Sequence, residues 1–241
     1  MRDNHGIEAP CAARRKRSDR HVSTANQDAN QDAKKYAGKV VRALKKDYPD
    51  VTCALKYDSS FQLLVATILS AQCTDERVNI VTKELFKKYP APEHLAKVPI
   101  KSLEKAIKST GFFRNKAKNI KACAKQLMDE YDGELPQDIE QMVDLPGVGR
   151  KTANVVLGTA YGLATGVVVD THVGRITRRL GMTKQKDAVK VETDLMAQLP
   201  KKEWVDFSHR MIHHGRKVCS ARKALCDDCS MSKFCPKVGL G

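Results

Sequence analysis

The chain has 241 residues, 41% of them hydrophobic and 29% charged, the balance of a globular protein with material for one large domain or two small ones. Its formal charge of +15 draws polyanions, of which phosphate backbones are the commonest. No stretch reads as a membrane span, since the longest uncharged run, Thr152–Val169, includes Asn154, Tyr161 and several Thr and Gly; nor do the first thirty residues hold the apolar core of a secretory signal.

Residues 1–35 account for +3 of the charge and the remaining 206 residues for +12, so the basic excess belongs to the folded body. Residues 1–31, rich in Asn, Gln, Asp, Arg and Ala, are expected to be a disordered basic arm. Within it Arg14-Arg15-Lys16-Arg17 reads as a solvated charge run.

Helical periodicity then takes over. Val40, Val41, Leu44 and Tyr48 form one apolar stripe. Phe61–Ala71 is apolar on nearly all sides, which predicts a central buried helix. Val78, Val81, Leu85 and Tyr89 repeat at helical spacing behind a Thr74-Asp75 cap. Leu103 and Ile107 predict a short helix capped by Ser102. Ile120, Cys123, Leu127 and Tyr131 predict another, stopped by Asp132-Gly133. Pro136–Leu145 leads into a Gly-rich hairpin and a helix from Arg150, and Val189–Leu199 and Trp204–Ile212 are amphipathic. Only Val167–Val169 looks extended, too short to build a sheet. The fold class is therefore all-α, with no repeat at solenoid periods.

The chemistry concentrates in Leu145-Pro146-Gly147-Val148-Gly149-Arg150-Lys151-Thr152-Ala153. Two glycines permit positive φ and a close backbone approach. The N–H groups of the hairpin and of the helix start make an anion site suited to a DNA phosphate. Such a contact positions a duplex without reading its sequence. Flanked by helices in a basic chain, the segment reads as a helix-hairpin-helix presenting Gly147, Val148, Gly149 and Arg150 to DNA. Lys151 is either a phosphate-binding cation or an amine nucleophile. A nucleophilic amine must be neutral, and the positive end of the helix and the adjacent Arg150 both oppose a further charge there. Asp170, nineteen residues on, ends an apolar run ahead of Thr171-His172. Alone it reads as a helix N-cap. Paired with Lys151 it reads as the carboxylate that stabilises an oxocarbenium-like state while a base departs. His172 reads as structural.

Cys11, Cys53, Cys73 and Cys123 are scattered, as apolar fillers in a reducing compartment are. The other four follow Cys219-x6-Cys226-x2-Cys229-x5-Cys235. By spacing alone they suit an iron–sulfur cluster, a tetrahedral zinc, or free or disulfide-linked thiols. Arg222-Lys223, inside the first loop, would supply a second phosphate contact.

Together, Leu145–Ala153 with Lys151, Val169–His172 with Asp170, Ser70–Asp75, His214-Gly215-Arg216 and the 6-2-5 cysteine spacing resemble the endonuclease III family of helix-hairpin-helix DNA glycosylases, from roughly Ala33 to Cys235. The resemblance implies two helical domains flanking a DNA cleft. One is a six-helix domain at 53–164; the other combines 32–52 with 165–241 and holds a [4Fe–4S] cluster on Cys219, Cys226, Cys229 and Cys235. It implies a monomeric base-excision enzyme acting on double-stranded DNA with damaged bases or abasic sites, away from membranes. Its activity would be removal of oxidised pyrimidines, with Lys151 attacking C1′ of a flipped nucleotide, then strand cleavage by β-elimination through a Schiff base. Gln72 matches the family's residue inserted opposite the lesion, and Phe112 stands where the family often has an aliphatic wedge. Asp75 and Asp144 fall near the implied base pocket. The compartment would be cytoplasm or nucleoid in a bacterium or archaeon, nucleus or mitochondrion in a eukaryote. The competing functions are a monofunctional adenine or thymine/uracil mismatch glycosylase, which usually lacks the lysine; a non-enzymatic helix-hairpin-helix DNA-binding protein, which needs only the hairpin; and a ferredoxin-like electron carrier, which leaves the charge and the helical body unexplained.

Overall fold

A computed structural model describes residues 15–240, with side chains from residue 28 onward. Part of the expected N-terminal arm, residues 1–14, lies outside the described residues. Among those described the regular structure is helical, without a strand, and a single antiparallel bridge joins Cys219 to Ala224. No described helix is long and apolar enough to cross a membrane.

Helix α1 spans Arg15–Asp47 and so overlaps the expected arm over residues 15–31. The stretch from Arg15 to Ala37 holds neither Gly nor Pro. The helix is also anchored by the buried Ala37, Val40, Val41, Leu44 and Tyr48, and extending an existing helix adds one hydrogen bond per residue fixed. Side chains 28–32 are exposed, and packing begins at Tyr36 and Ala37.

Seven helices, α2–α8, share one hydrophobic core. Helix α2 (Ser60–Leu69) runs through its centre, with Phe61–Ala66, Ile68 and Leu69 buried, and Ser59 caps it by accepting the Gln62 N–H. Thr74 caps α3 (Asp75–Lys88) in the same way. The short α4 (Pro92–Lys97) opens on a proline, whose fixed φ suits a first turn. Helix α5 (Ile100–Ile107) starts three residues earlier than a Ser102 cap requires. Pro99 is the cap residue, and its carbonyl accepts the Ser102 and Leu103 N–H groups at 2.9 and 3.2 Å. Helix α6 (Phe113–Glu130) ends where Asp132 and Gly133 turn left-handed, with the Gly133 N–H returning to the Leu127 carbonyl at 2.9 Å. Asp138 caps α7 (Ile139–Val143), and α8 (Arg150–Tyr161) stops at Gly162.

A second core joins α1 to α9 (Thr171–Arg179), α10 (Ala188–Gln198) and α11 (Trp204–Lys217) around Leu44, Val173, Ile176, Leu195, Phe207 and Met211. Val167 and Val168 are buried in the segment that passes from α8 to α9. With no neighbouring strand to pair with, this apolar run serves as the link between the cores.

Candidate active site

Where the two cores meet, a cleft of about 450 Å³ opens. Gln72 and Cys73 line it from the turn between α2 and α3, Asp75 from the start of α3, Lys151 and Val155 from α8, Asp170 and His172 from the start of α9, and His209, His213 and Arg216 from α11. Lys151 and Asp170 also line an adjoining groove with Arg178 and Lys186. The two residues assigned to chemistry from sequence are thus brought together across the junction.

Lys151 is exposed in the first turn of α8. Asp170 is the N-cap of α9, its Oδ1 accepting the Val173 N–H at 2.8 Å, and it also lines the cleft. Capping holds the carboxylate in place. Arg150 does not stand as a bare cation beside Lys151. Its Nε donates to Glu192 Oε2 at 3.1 Å, so its charge is paired. Glu192, on α10, also accepts from Asn154 Nδ2 at 2.8 Å, and Asn154 Oδ1 accepts the Thr165 hydroxyl at 2.8 Å. This network fastens the turn that carries Lys151 to the second core.

The hairpin differs from expectation at two residues. Gly147 is left-handed at φ 81°, and a β-carbon there would lie 2.7 Å from Asn119 Cβ. Gly149 has an extended backbone at φ −94°; its use is the open space around it, with no atom within 4 Å of a β-carbon placed there. Val148 cannot offer DNA either its side chain, which is buried, or its N–H, which donates to the Leu145 carbonyl at 3.0 Å. Because α8 has no side-chain cap, its first-turn N–H groups lack that protein acceptor and suit an anion.

Gln72 and Phe112 are exposed, with positive φ of 54° and 47°. Asp75 accepts from Arg216 Nη2 at 2.7 Å. Asp144, expected near the base pocket, is exposed at the C-cap of α7 and does not line the cleft. Cys123 is a core filler, whereas Cys53 and Cys73 line the cleft.

Sequence reasoning missed His209 and His213 and took Arg216 only as part of the His214-Gly215-Arg216 motif. The signal that joins the three is helical spacing, four and three residues apart on one face of a helix that runs past Ile212 to Lys217. Burial holds His209 and His213 below the ordinary histidine value. His172 is lowered too, by burial first, with Asp170 opposing and Arg175 and Arg216 reinforcing. Arg175 Nη2 donates to His172 Nδ1 at 3.1 Å, which also favours the neutral ring.

Cys219, Cys226, Cys229 and Cys235 are unbridged and line one apolar pocket with Ile176, Leu180, His214 and Met231. Among the described residues no three His, Cys, Asp or Glu side chains converge as ligands of one ion do. Four cysteines around one pocket are the donor set that an iron–sulfur cluster takes. Burial pushes the Cys229 and Cys235 thiols up, and the neighbouring cysteines add to the rise, so a bound cationic iron core would relieve their mutual repulsion. Arg179 Nη1 donates to Cys219 Sγ at 3.2 Å and the Lys237 N–H to Cys235 Sγ at 3.4 Å. Arg179 also holds the Ser220 and Ala221 carbonyls, at 2.7 and 3.1 Å, beneath the exposed Arg222 and Lys223.

A helix-hairpin-helix that delivers a lysine to a cleft faced by a capped aspartate defines a class. Residues 65–201 match the HhH-GPD superfamily of base excision DNA repair proteins. Endonuclease III of Synechocystis sp. is 53% identical over 203 residues, 84% of this chain and 93% of that protein. Endonuclease III of Bacillus subtilis is 47% identical over 189 residues, 78% and 86% of the two chains. A solved trapped endonuclease III–DNA covalent intermediate superposes with a TM-score of 0.80 at 44% identity, covering 85% of this chain and 96% of that one. The chain belongs to the endonuclease III family of that superfamily, the bifunctional base-excision glycosylases with lyase activity. Members of this family generally bind a [4Fe–4S] cluster.

Proposed function

We propose that this enzyme removes oxidised pyrimidines from duplex DNA and that Lys151 is its nucleophile. The observation that carries the reading is the first turn of α8. It presents open backbone at Gly149 and uncapped N–H groups for a phosphate, and in the same turn it brings Lys151 into the cleft that Asp170 lines. With Nζ neutral, its lone pair forms a bond to C1′ of the extruded nucleotide. The N-glycosidic bond breaks, and its electron pair leaves with the base, which takes up a proton. Loss of a proton from Nζ and opening of the sugar give the Schiff base. Removal of a C2′ proton then expels the 3′ phosphate, and water releases Lys151. The Asp170 carboxylate stabilises the positive charge that develops at C1′ as the base departs.

Gln72 and Phe112 fill the stack that the nucleotide vacates, offsetting the cost of extrusion. Gly147, Gly149 and Arg150 at the hairpin, with Arg222 and Lys223 at the cysteine loop, hold phosphates on either side. Asp75, steadied by Arg216, faces the base. The units at 53–164 and at 32–52 with 165–241 grip the duplex from two sides. Cys219, Cys226, Cys229 and Cys235 hold a [4Fe–4S] cluster, which when bound orders the loop carrying Arg222 and Lys223.

Borohydride trapping on a duplex with one oxidised pyrimidine tests the mechanism. Wild type should form a covalent adduct and Lys151→Ala none, while the variant still binds the duplex. Base loss by wild type without an adduct would replace lysine by water as the nucleophile. Affinity should also fall steeply with salt, as phosphate neutralisation requires.

A further inference from the structure

Lysine is among the residues least often buried, and burying its charge is costly unless it is fully hydrogen-bonded. Lys116 on α6 is only 5% exposed. Its ammonium donates to three backbone carbonyls, those of Leu69, Ala71 and Thr110, at 2.8 Å each. That accounts for all three of its protons. Burial pushes the ammonium below its ordinary value; the carbonyls are what support its charge.

These carbonyls come from two places. Leu69 and Ala71 lie at the C-terminal end of α2 and in the turn after it; Thr110 ends the short 3₁₀ turn 108–110. Helix C-termini leave carbonyls unpaired and negative in potential, a natural seat for a cation. Each segment runs at once into a backbone outlier. Gln72, at φ 54°, follows Ala71 directly; Phe112, at φ 47°, follows Thr110 through Gly111 at φ 71°. Left-handed backbone at non-glycine residues persists where the surroundings over-determine it. Both side chains face solvent, Phe112 being 64% exposed.

We propose that Lys116 is a positioning residue: its ammonium ties the turn bearing Gln72 to the turn bearing Phe112, so that the two side chains meet the duplex as one preset wedge. The inference rests on the reading above that these residues fill the vacated stack. Two independent turns would each have to be ordered at the moment of insertion, whereas a braced pair is ordered beforehand. No other side chain among the described residues is hydrogen-bonded to both turns.

The test compares Lys116→Met and Lys116→Gln with Gln72→Ala and Phe112→Ala, all as cluster-loaded enzyme. Single-turnover excision is measured for one oxidised pyrimidine in two settings: paired within a G·C-flanked duplex, and already extruded in a one-nucleotide bulge. Active enzyme is counted by borohydride trapping on an abasic-site duplex, so the paired-to-bulged ratio does not depend on how much of a variant folds. Lys116→Met should lower that ratio about tenfold, as expected for losing charge-assisted hydrogen bonds that hold the wedge. Lys116→Gln should lower it less. Added to Phe112→Ala, Lys116→Met should cost little more, because it acts through that residue. An unchanged ratio in both Lys116 variants, while Gln72→Ala or Phe112→Ala lowers it, overturns the brace. If neither Gln72→Ala nor Phe112→Ala moves the ratio, the wedge reading itself fails, and the brace with it.

Discussion

Gly166, in the link between the two cores, is where one methyl group should do the most damage. A β-carbon there would overlap Glu192 Oε1 and lie 2.6 Å from Asn154 Nδ2. Both groups are committed: Glu192, only 6% exposed, holds Asn154 and Arg150, and Asn154 also holds Thr165. In Gly166→Ala the carboxylate must withdraw while remaining buried. Hydrogen bonds to a charged group contribute about 1.5–3 kcal/mol each, and breaking one side of a buried ion pair costs about 3–5 kcal/mol. The Arg150 side chain is 42% exposed, so solvent screens its share, and a total near 3 kcal/mol is expected. At about 2–4 °C per kcal/mol for a chain of this size, the melting temperature should drop by roughly 6–12 °C. Circular dichroism of the cluster-loaded protein reads this, and urea unfolding should show a lower midpoint at an unchanged slope. In a Glu192→Ala background the carboxylate is gone and the Asn154 amide, no longer bonded to it, can turn aside, so Gly166→Ala should there cost much less than in wild type. Melting within about 2 °C of wild type, or strict additivity of the two substitutions, would refute the reasoning. Excision should fall as well, since Arg150 and the turn carrying Lys151 lose their tether.

Asp170→Asn keeps an N-cap as good as aspartate, so stability should change by less than about 0.5 kcal/mol while excision falls at least about 100-fold. Asp170→Ala should lose about 1 kcal/mol in addition, and an active Asn variant would reduce Asp170 to a cap. The hairpin glycines should separate in the same fashion. Gly147→Ala, left-handed and against Asn119, should cost more than about 1–2 kcal/mol. Gly149→Ala should melt within about 1 kcal/mol of wild type yet bind duplex weakly, because its methyl occupies the phosphate's approach; undiminished affinity would contradict the anion site. Burial lowers His209 below the ordinary histidine value in the folded chain, so the unfolded chain takes up that proton first as the pH falls. Stability present above about pH 6.5 is then lost progressively toward the lower folded value. His209→Gln should flatten the melting temperature between about pH 7 and pH 5; an equally steep profile would remove His209 from the account.

Much of this was legible because it is local. A helix shows itself in residues three and four apart, so the stripes at Val40–Tyr48, Val78–Tyr89 and Ile120–Tyr131 and the Thr74 and Asp170 caps could be read directly. Where the reading failed, a competing local effect or a distant contact decided. Ser102 lost its role to Pro99, whose carbonyl was free to accept. Helix α4, at six residues, is too short to show a period.

By itself, then, the sequence determined the all-α class, the hairpin, the four-cysteine loop, and the choice of Lys151 and Asp170 as candidates for the chemistry, because residue identity and spacing carry those signals. Only the tertiary structure decided that Arg150 is paired with Glu192, that Asp144 stands off the cleft, that His209, His213 and Arg216 stand on it, and that Lys116 joins the Gln72 and Phe112 turns. Those facts depend on contacts between residues tens of positions apart, set by how α6, α10 and α11 pack against α2 and α8, and no window of sequence contains them.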